Sequence, residues 1–452
     1  MTISATNISF KRIQQLAIPA IIAGIAEPVL SSTDAAVVGN IAEFGTESLA
    51  AVGIAGTFLS ALIWILGQTR SAISAIVSQN LGAGNIANLK NFPGQAVFFN
   101  VALSVLIIIP AIFFVKEIFQ LLNAEGMVLD LSVDYFNIRV WGFPLTLFTF
   151  AVFGLFRGLQ NTFWPMVIAA VGATLNIGLD FALVYGIPNF IEPMGVVGAA
   201  WASLIAQFIM AMLAFIFLMK KTDISLKLRF PLHPEIARLV IMSLNLFLRS
   251  VALNTALILA TREATSLGKE YIAAHTIALN IWLFTAFFID GYGAAGNILG
   301  GKLLGEKNYS ALLQLTKRVN LYNLGIAALL VLVGLILYKP LGLLFNKDPE
   351  VLSLFYGIFF MVLISLPLNA LAFTFDAIFK GLGEMGYLRN VLLGATLFGF
   401  IPALYISLYF DLGLLGIWIA LITWVAYRAV ALIIKFRRKY YPLAHIEKPP
   451  LS

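Results

Sequence analysis

The chain has no cysteine among its 452 residues. Disulfides, thiol catalysis and cysteine-ligated metals are excluded. Histidine is nearly as scarce. His233, His275 and His445 are the only three. They are scattered, so no paired-histidine metal motif or HExxH is present. Charge is the third shortage. Only 11% of residues are charged, against about 25% in a soluble domain. With 60% hydrophobic residues and a mean hydropathy of +0.94, this is the composition of an integral membrane protein. The apolar runs are about 20 residues or longer, which fits helices rather than barrel strands of about 10 alternating residues. No GxxxxGK[ST] phosphate loop and no nucleophile–base constellation is found, which argues against nucleotide hydrolysis and against an enzyme. No cofactor is expected. The net charge of +7 does not point to nucleic acid, because the basic residues collect in particular loops, as the positive-inside rule requires.

What the chain does have is twelve expected spans, near 13–38, 49–79, 94–115, 131–156, 164–186, 197–219, 236–261, 271–300, 319–338, 351–379, 390–410 and 414–434. The first follows Lys11 and Arg12 and is too long for a signal-peptide core, so it reads as a retained helix. Lys and Arg concentrate after even-numbered spans, in KKTDISLKLRF at 220–230, around 301–318, and in KFRRKYY at 435–441. Both termini are then expected on the cytoplasmic side of a multi-pass cell-membrane protein. The chain also repeats itself. GTESLAAVGIAG begins at Gly45 and GKEYIAAHTIAL at Gly268, an offset of 268 − 45 = 223. At that offset Gly82 meets Gly305, Asn85 meets Asn308, Pro144 meets Pro367, and Arg157-Gly158-Leu159 meets Lys380-Gly381-Leu382. The expected organisation is an N-terminal lobe over 1–219, a linker over 220–235, a C-terminal lobe over 236–436 and a tail over 437–452. Six spans per half orient both halves alike, a parallel repeat of the kind found in transporters.

Two carboxylates stand inside apolar runs. Asp34 lies in LAIPAIIAGIAEPVLSSTDAAVVG (16–39) and Asp180 in NIGLDFALVYG. A carboxylate at that depth costs roughly 2.5–3.5 kcal/mol, so the pair suggests a site that binds and releases protons or cations. Asn176 is four residues before Asp180 and shares its helical face. An amide oxygen and two carboxylates suit either a proton or a hard cation such as sodium. The bland alternative for Asp34 is a permanent hydrogen bond to Ser31 or Thr33. For Asn176 it is helix–helix bonding. Pro19 and Pro28 each remove a backbone donor from the first helix. Glu27, Arg70 and Arg428 also fall within or against spans, and the two arginines are expected to snorkel to the interface.

Several motifs, in order, resemble the multidrug and toxic compound extrusion (MATE) family, and within it the DNA-damage-inducible protein F branch. They are P-x(8)-P-x(5)-D-x(4)-G at Pro19, Pro28, Asp34 and Gly39, QNLGAGN after the second span, FRGLQNT, and N-x(3)-LD at Asn176 and Asp180. AAHTIALNIWLFTAFFIDGYG and LPLNALAFTFDAIFKGLG follow in the second half. The resemblance implies an all-α membrane protein, two pseudo-symmetric six-helix lobes about a central cleft. It implies a monomeric antiporter that exports cationic or amphiphilic small molecules in exchange for H+ or Na+ by alternating access. It adds Ser203 as a hydroxyl at the coupling-ion site with Asp34, Asn176 and Asp180, and Pro19 as the point where the first helix bends. The other major branch carries an acidic pair in its seventh and tenth spans. Here Asn369 stands at the tenth-span position, and the seventh span offers Arg249 and Asn254. Asp290 and Asp376 are secondary candidates, either of which could neutralise Arg249. The rival reading is a flippase or exporter of a lipid or lipid-linked saccharide, whose cavity would be more cationic.

Overall fold

A computed structural model describes residues 8–41 and 44–446. Residues 447–452 of the expected tail lie outside the described residues, as do the side chains of Glu27, Pro28 and Ser31. Every regular element among the described residues is helical, apart from an isolated bridge between Ile187 and Ile191. The spanning helices are α1 (Phe10–Gly39), α2 (Gly45–Gly82), α3 (Phe92–Phe113), α4 (Gly126–Gly158), α5 (Phe163–Val184) and α6 (Gly195–Lys221). The second half supplies α7 (Pro234–Leu267), α8 (Lys269–Gly305), α9 (Tyr309–Phe345), α10 (Pro349–Gly381), α11 (Met385–Tyr409) and α12 (Gly413–Ile446). A helix stands at each of the twelve expected positions. Among the described residues ten of them, and an eleventh as a bent pair, are long and apolar enough to cross a membrane. Most extend several residues past the apolar run into polar sequence.

Three spans are less regular than their hydropathy predicts, the eleventh through a π-helical stretch at Ala395–Phe400. The fourth is two helices, Gly126–Arg139 and Gly142–Gly158, bent by 46°. Pro144 explains the bend, because it has no N–H for the preceding turn and its ring displaces the carbonyl four residues back. The second breaks at Gly67, where an added Cβ would lie 2.7 Å from the Phe150 ring. The backbone there is right-handed helical (φ −61°, ψ −14°), so the glycine serves the close contact with Phe150 rather than the break.

The chain folds as two compact units. One comprises Ile22–Val77 and Asn85–Ser243, and its core gathers residues of α1, α2, α4 and α6, among them Val38, Leu59, Phe136 and Ala199. The 220–235 stretch belongs to it and is pinned. Gln95 donates to the carbonyls of Arg229 (2.6 Å) and Pro231 (3.1 Å), and accepts from the His233 backbone N–H at 2.8 Å. The other unit comprises Leu244–Ser452 with Met1–Ile21 and Ser78–Gly84. Its core is built on α8, α10 and α12, including Trp282, Phe355, Trp418 and Trp424.

Within that second unit the 223-residue repeat closes on itself. A Cβ on Gly82 would lie 1.9 Å from the Lys302 carbonyl oxygen, and a Cβ on Gly305 would lie 2.0 Å from the Gln79 carbonyl oxygen. Gly305 is Gly82 shifted by 223, and Lys302 is Gln79 shifted by 223. Each partner therefore presents the same surface to the other, as an isologous contact does. Only glycine lets the last turns of α2 and α8 touch backbone to backbone. Gly381 packs as closely, 2.2 Å from the Asn297 carbonyl to its added Cβ, and its own carbonyl accepts from Gln79 Nε2 at 2.7 Å.

Candidate functional site

Helical spacing brings Asp34 into the first-described unit's interior. Leu30, Asp34, Val37 and Val38 form one buried stripe of α1, the i, i+4, i+7, i+8 pattern of a packed face. On α5, Ile168, Gly172, Asn176, Asp180 and Val184 form a buried stripe close to one per turn, widened at its start by Pro165 and Ala169. The facing stripe of α6 is small (Ala199, Ala202, Ser203, Ala206), so the two helices approach closely. The structure thus gathers all four residues expected at the ion site. Asp34 is 2% exposed, Asn176 and Asp180 0%, and Ser203 3%.

Their bonds form one network. Ser203 Oγ lies 2.9 Å from Asp34 Oδ2 and 3.1 Å from the Asn176 amide. With the amide turned so that donors meet acceptors, Asn176 Nδ2 donates to Asp34 Oδ1 (3.2 Å) and Asp180 Oδ2 (3.3 Å), and its oxygen faces Ser203. The two carboxyl groups are within hydrogen-bonding reach of each other. Asp180 Oδ1 meets no donor among the described residues. A hydrogen bond between two carboxyls needs a proton on one of them. One proton would therefore complete the network.

Two further members were not anticipated. Tyr135 donates to Asp34 Oδ2 at 3.2 Å and accepts from Arg139, since a guanidinium can only donate. Arg139 also acts on Asp180 through its charge. Both lie on α4, four residues apart and on one face. The signal was available: an arginine within an apolar run invites a search for its carboxylates. Asp34, Tyr135 and Arg139 line a cavity of about 290 Å³ whose remaining wall is largely α2, with Gly53, Gly56, Thr57 and Ser60. Thr33 is not a partner of Asp34. Its hydroxyl bonds the Val29 carbonyl at 2.9 Å, the usual back-bond of a helical threonine. The Ser31 side chain lies outside the described residues.

The C-terminal candidates separate. Asp376 is the partner of Arg249, accepting from Nη2 at 2.7 Å and Nε at 3.1 Å. Asp290 is exposed on α8. Asn369 is fully buried, and neither amide atom has a partner among the described residues. Arg428 does not snorkel. It is 2% exposed, stacked on Phe373 and Trp424 with its guanidinium 5.4 and 5.0 Å from the ring centres. Its Nη2 is 3.8 Å from Asp376. Two aromatic faces and a carboxylate outweigh the pull of the interface. Pro19 is buried on α1, two residues before the helix passes from one compact unit to the other at Ile21–Ile22. Among the described residues no three His, Cys, Asp or Glu side chains gather as a metal site.

The MatE family profile matches residues 19–182 and 246–406. Protein DETOXIFICATION 43 of Arabidopsis thaliana is 28% identical over 334 residues, 72% of this chain and 61% of that protein, so this chain spans less than two thirds of its length. DNA damage-inducible protein F of Escherichia coli is 25% identical over 96% of this chain and 93% of its own. A protein from Thermotoga maritima called probable multidrug resistance protein NorM is 23% identical, covering 94% and 92%. A solved structure described as MATE in the bent conformation superposes with a TM-score of 0.89 over 96% of both chains at 22% identity, a likeness of fold. Members of this family are transporters, not enzymes, and couple to ions rather than to cofactors. With two profile matches placed one in each half of a twelve-helix membrane protein, this chain belongs to the MATE family of transporters.

Proposed function

We propose that this protein is a proton-coupled exporter of cationic amphiphiles, with Asp34 and Asp180 as the proton-carrying pair. One observation carries the choice of ion. The carboxyls lie within reach of one shared proton, and Asp180 Oδ1 has no donor among the described residues, while Asp34 Oδ1, Asp34 Oδ2 and Asp180 Oδ2 each already accept an N–H or O–H hydrogen bond. Asp34 Oδ2 has both Tyr135 and Ser203, and the Asn176 nitrogen faces both acids. A sodium ion needs several free oxygen lone pairs around it, as hard cations do. Here three of the four carboxyl oxygens already carry donors that a sodium ion would have to displace or crowd, and Arg139 adds a fixed positive charge beside the pair.

Charge arithmetic then gives antiport. Two carboxylates and Arg139 sum to −1, which attracts an organic cation. One bound proton brings the sum to zero and removes that attraction, so proton and cargo exclude each other. The name of the Thermotoga relative supports drug-like cargo. In this reading two lobes alternate access across the cell membrane, α1 flexes at Pro19, and the monomer carries the whole cycle.

The test is dye efflux from proteoliposomes driven by a pH gradient alone or a sodium gradient alone. Efflux follows the pH gradient and is abolished in Asp34→Asn. Efflux that followed only the sodium gradient would assign Asp34, Asn176 and Asp180 to sodium instead. Normal coupling in Asp34→Asn would remove the basis of the proposal.

A further inference from the structure

We infer that the cluster around Asp376, where α7, α10 and α12 meet, is a binding site for an anionic oxygen group, a carboxylate or a phosphate, in which Asp376 is a resident stand-in. Three cations surround that one carboxylate. Arg249 places Nη2 and Nε on Oδ1 at 2.7 and 3.1 Å, Lys380 Nζ is 3.1 Å from Oδ2, and Arg428 Nη2 is 3.8 Å from Oδ1. Among the described residues no second carboxylate lies within 4.0 Å of any of the three. The cluster therefore holds a net charge of +2. Side-chain exposure is 7% for Arg249, 8% for Asp376, 12% for Lys380 and 2% for Arg428.

A structural ion pair needs one cation per carboxylate. Two more, buried in an apolar bundle, carry a desolvation cost that one shared carboxylate and, for Arg428, the Phe373 and Trp424 faces offset only in part. The geometry is also incomplete in one place. Arg428 is fixed between Phe373 and Trp424, its Nη2 is beyond hydrogen-bond distance from Asp376, and its Nη1 has no acceptor among the described residues. A guanidinium held in a fixed plane with an unused donor edge is what a carboxylate or phosphate oxygen pair recognises. Lys380, the least buried of the three and the most flexible, is the side chain that can turn aside to admit it. The ligand is either a soluble amphiphile carrying such a group or the head group of an acidic lipid. This inference does not rest on proton coupling at Asp34, and its test reads binding rather than transport.

The experiment is thermal unfolding of the purified full chain. In one arm, sodium phosphate or sodium benzoate is compared with sodium chloride at equal ionic strength. In the other, nanodiscs of phosphatidylcholine alone are compared with nanodiscs that also contain phosphatidylglycerol. Stabilisation by phosphate or benzoate assigns a soluble ligand, and stabilisation by phosphatidylglycerol alone assigns a lipid head group. Asp376→Asn removes the competing carboxylate and should respond at about tenfold lower anion, while Arg428→Gln should need about tenfold more, the size of one charge-assisted hydrogen bond. If Arg428→Gln does not fold, Asp376→Asn alone decides. No anion dependence in either arm for wild type and Asp376→Asn alike would overturn the inference. So would an equal response in a folded Arg428→Gln.

Discussion

At the scale of single residues, the site is a set of donors arranged around two acids. Ser203→Ala deletes one hydroxyl hydrogen bond to the Asp34 carboxylate, worth about 1.5–3 kcal/mol. Proton-driven efflux should fall about tenfold or more but persist, in contrast to Asp34→Asn. Arg139→Gln is the more informative change. It removes the fixed positive charge beside the pair and leaves the site one unit more negative, so a hard cation competes better there. Efflux driven by a sodium gradient should then appear in Arg139→Gln while being absent in wild type. No sodium-driven efflux in this variant would show that Arg139 does not govern ion choice. Asp34, Asn176 and Asp180 were legible in the sequence because polar groups in an apolar run are conspicuous. Tyr135 was not, because a tyrosine near the end of a span is ordinary, and only packing brings its hydroxyl to Asp34.

At the scale of helices, glycine decides how closely α2 and α8 meet. Ala at Gly82 or at Gly305 puts a methyl about 2 Å from a carbonyl oxygen and should cost about 1–3 kcal/mol, as overpacking does. Both substitutions act at one crossing, so the double variant should lower the melting temperature by less than the sum of the singles. Strict additivity would mean that the two glycines do not share a contact. On α1, Pro19→Ala restores a backbone donor and stiffens the helix. Cargo binding by equilibrium dialysis should survive this change while gradient-driven efflux is lost. The repeat pairing of Gly82 with Gly305 was readable from the 223-residue offset. That the paired glycines touch each other was not, because an offset relates positions and says nothing of distance.

For the whole molecule, the distribution of charge sets orientation. Stretches rich in Lys and Arg follow even-numbered spans, and with Cys absent every introduced thiol reports alone. A membrane-impermeant maleimide applied to intact cells should label Asn189→Cys, in the loop after α5, and leave Ser225→Cys, in the stretch after α6, unlabelled. The reverse pattern would invert the topology. The expected division at 219/220 and 235/236 was drawn from composition alone. The compact units assign residues 220–235 to the same body as α2–α6, held by Gln95, and assign the first turns of α1 and the last turn of α2 to the other body.

The sequence alone determined that this chain is a helical membrane protein with twelve spans and an internal repeat. It also determined that its first and fifth spans carry buried acids. Those facts follow from hydropathy, spacing and the cost of charge in lipid, which are local. The tertiary structure decided which side chains complete the Asp34 network. It also decided that Arg428 turns inward to Asp376, and that three cations share one carboxylate. Apart from the Lys380–Asp376 pair, which is four residues apart on one helix, those facts depend on which faces of different helices meet, and a contact between residues fifty or more positions apart leaves no trace in local composition.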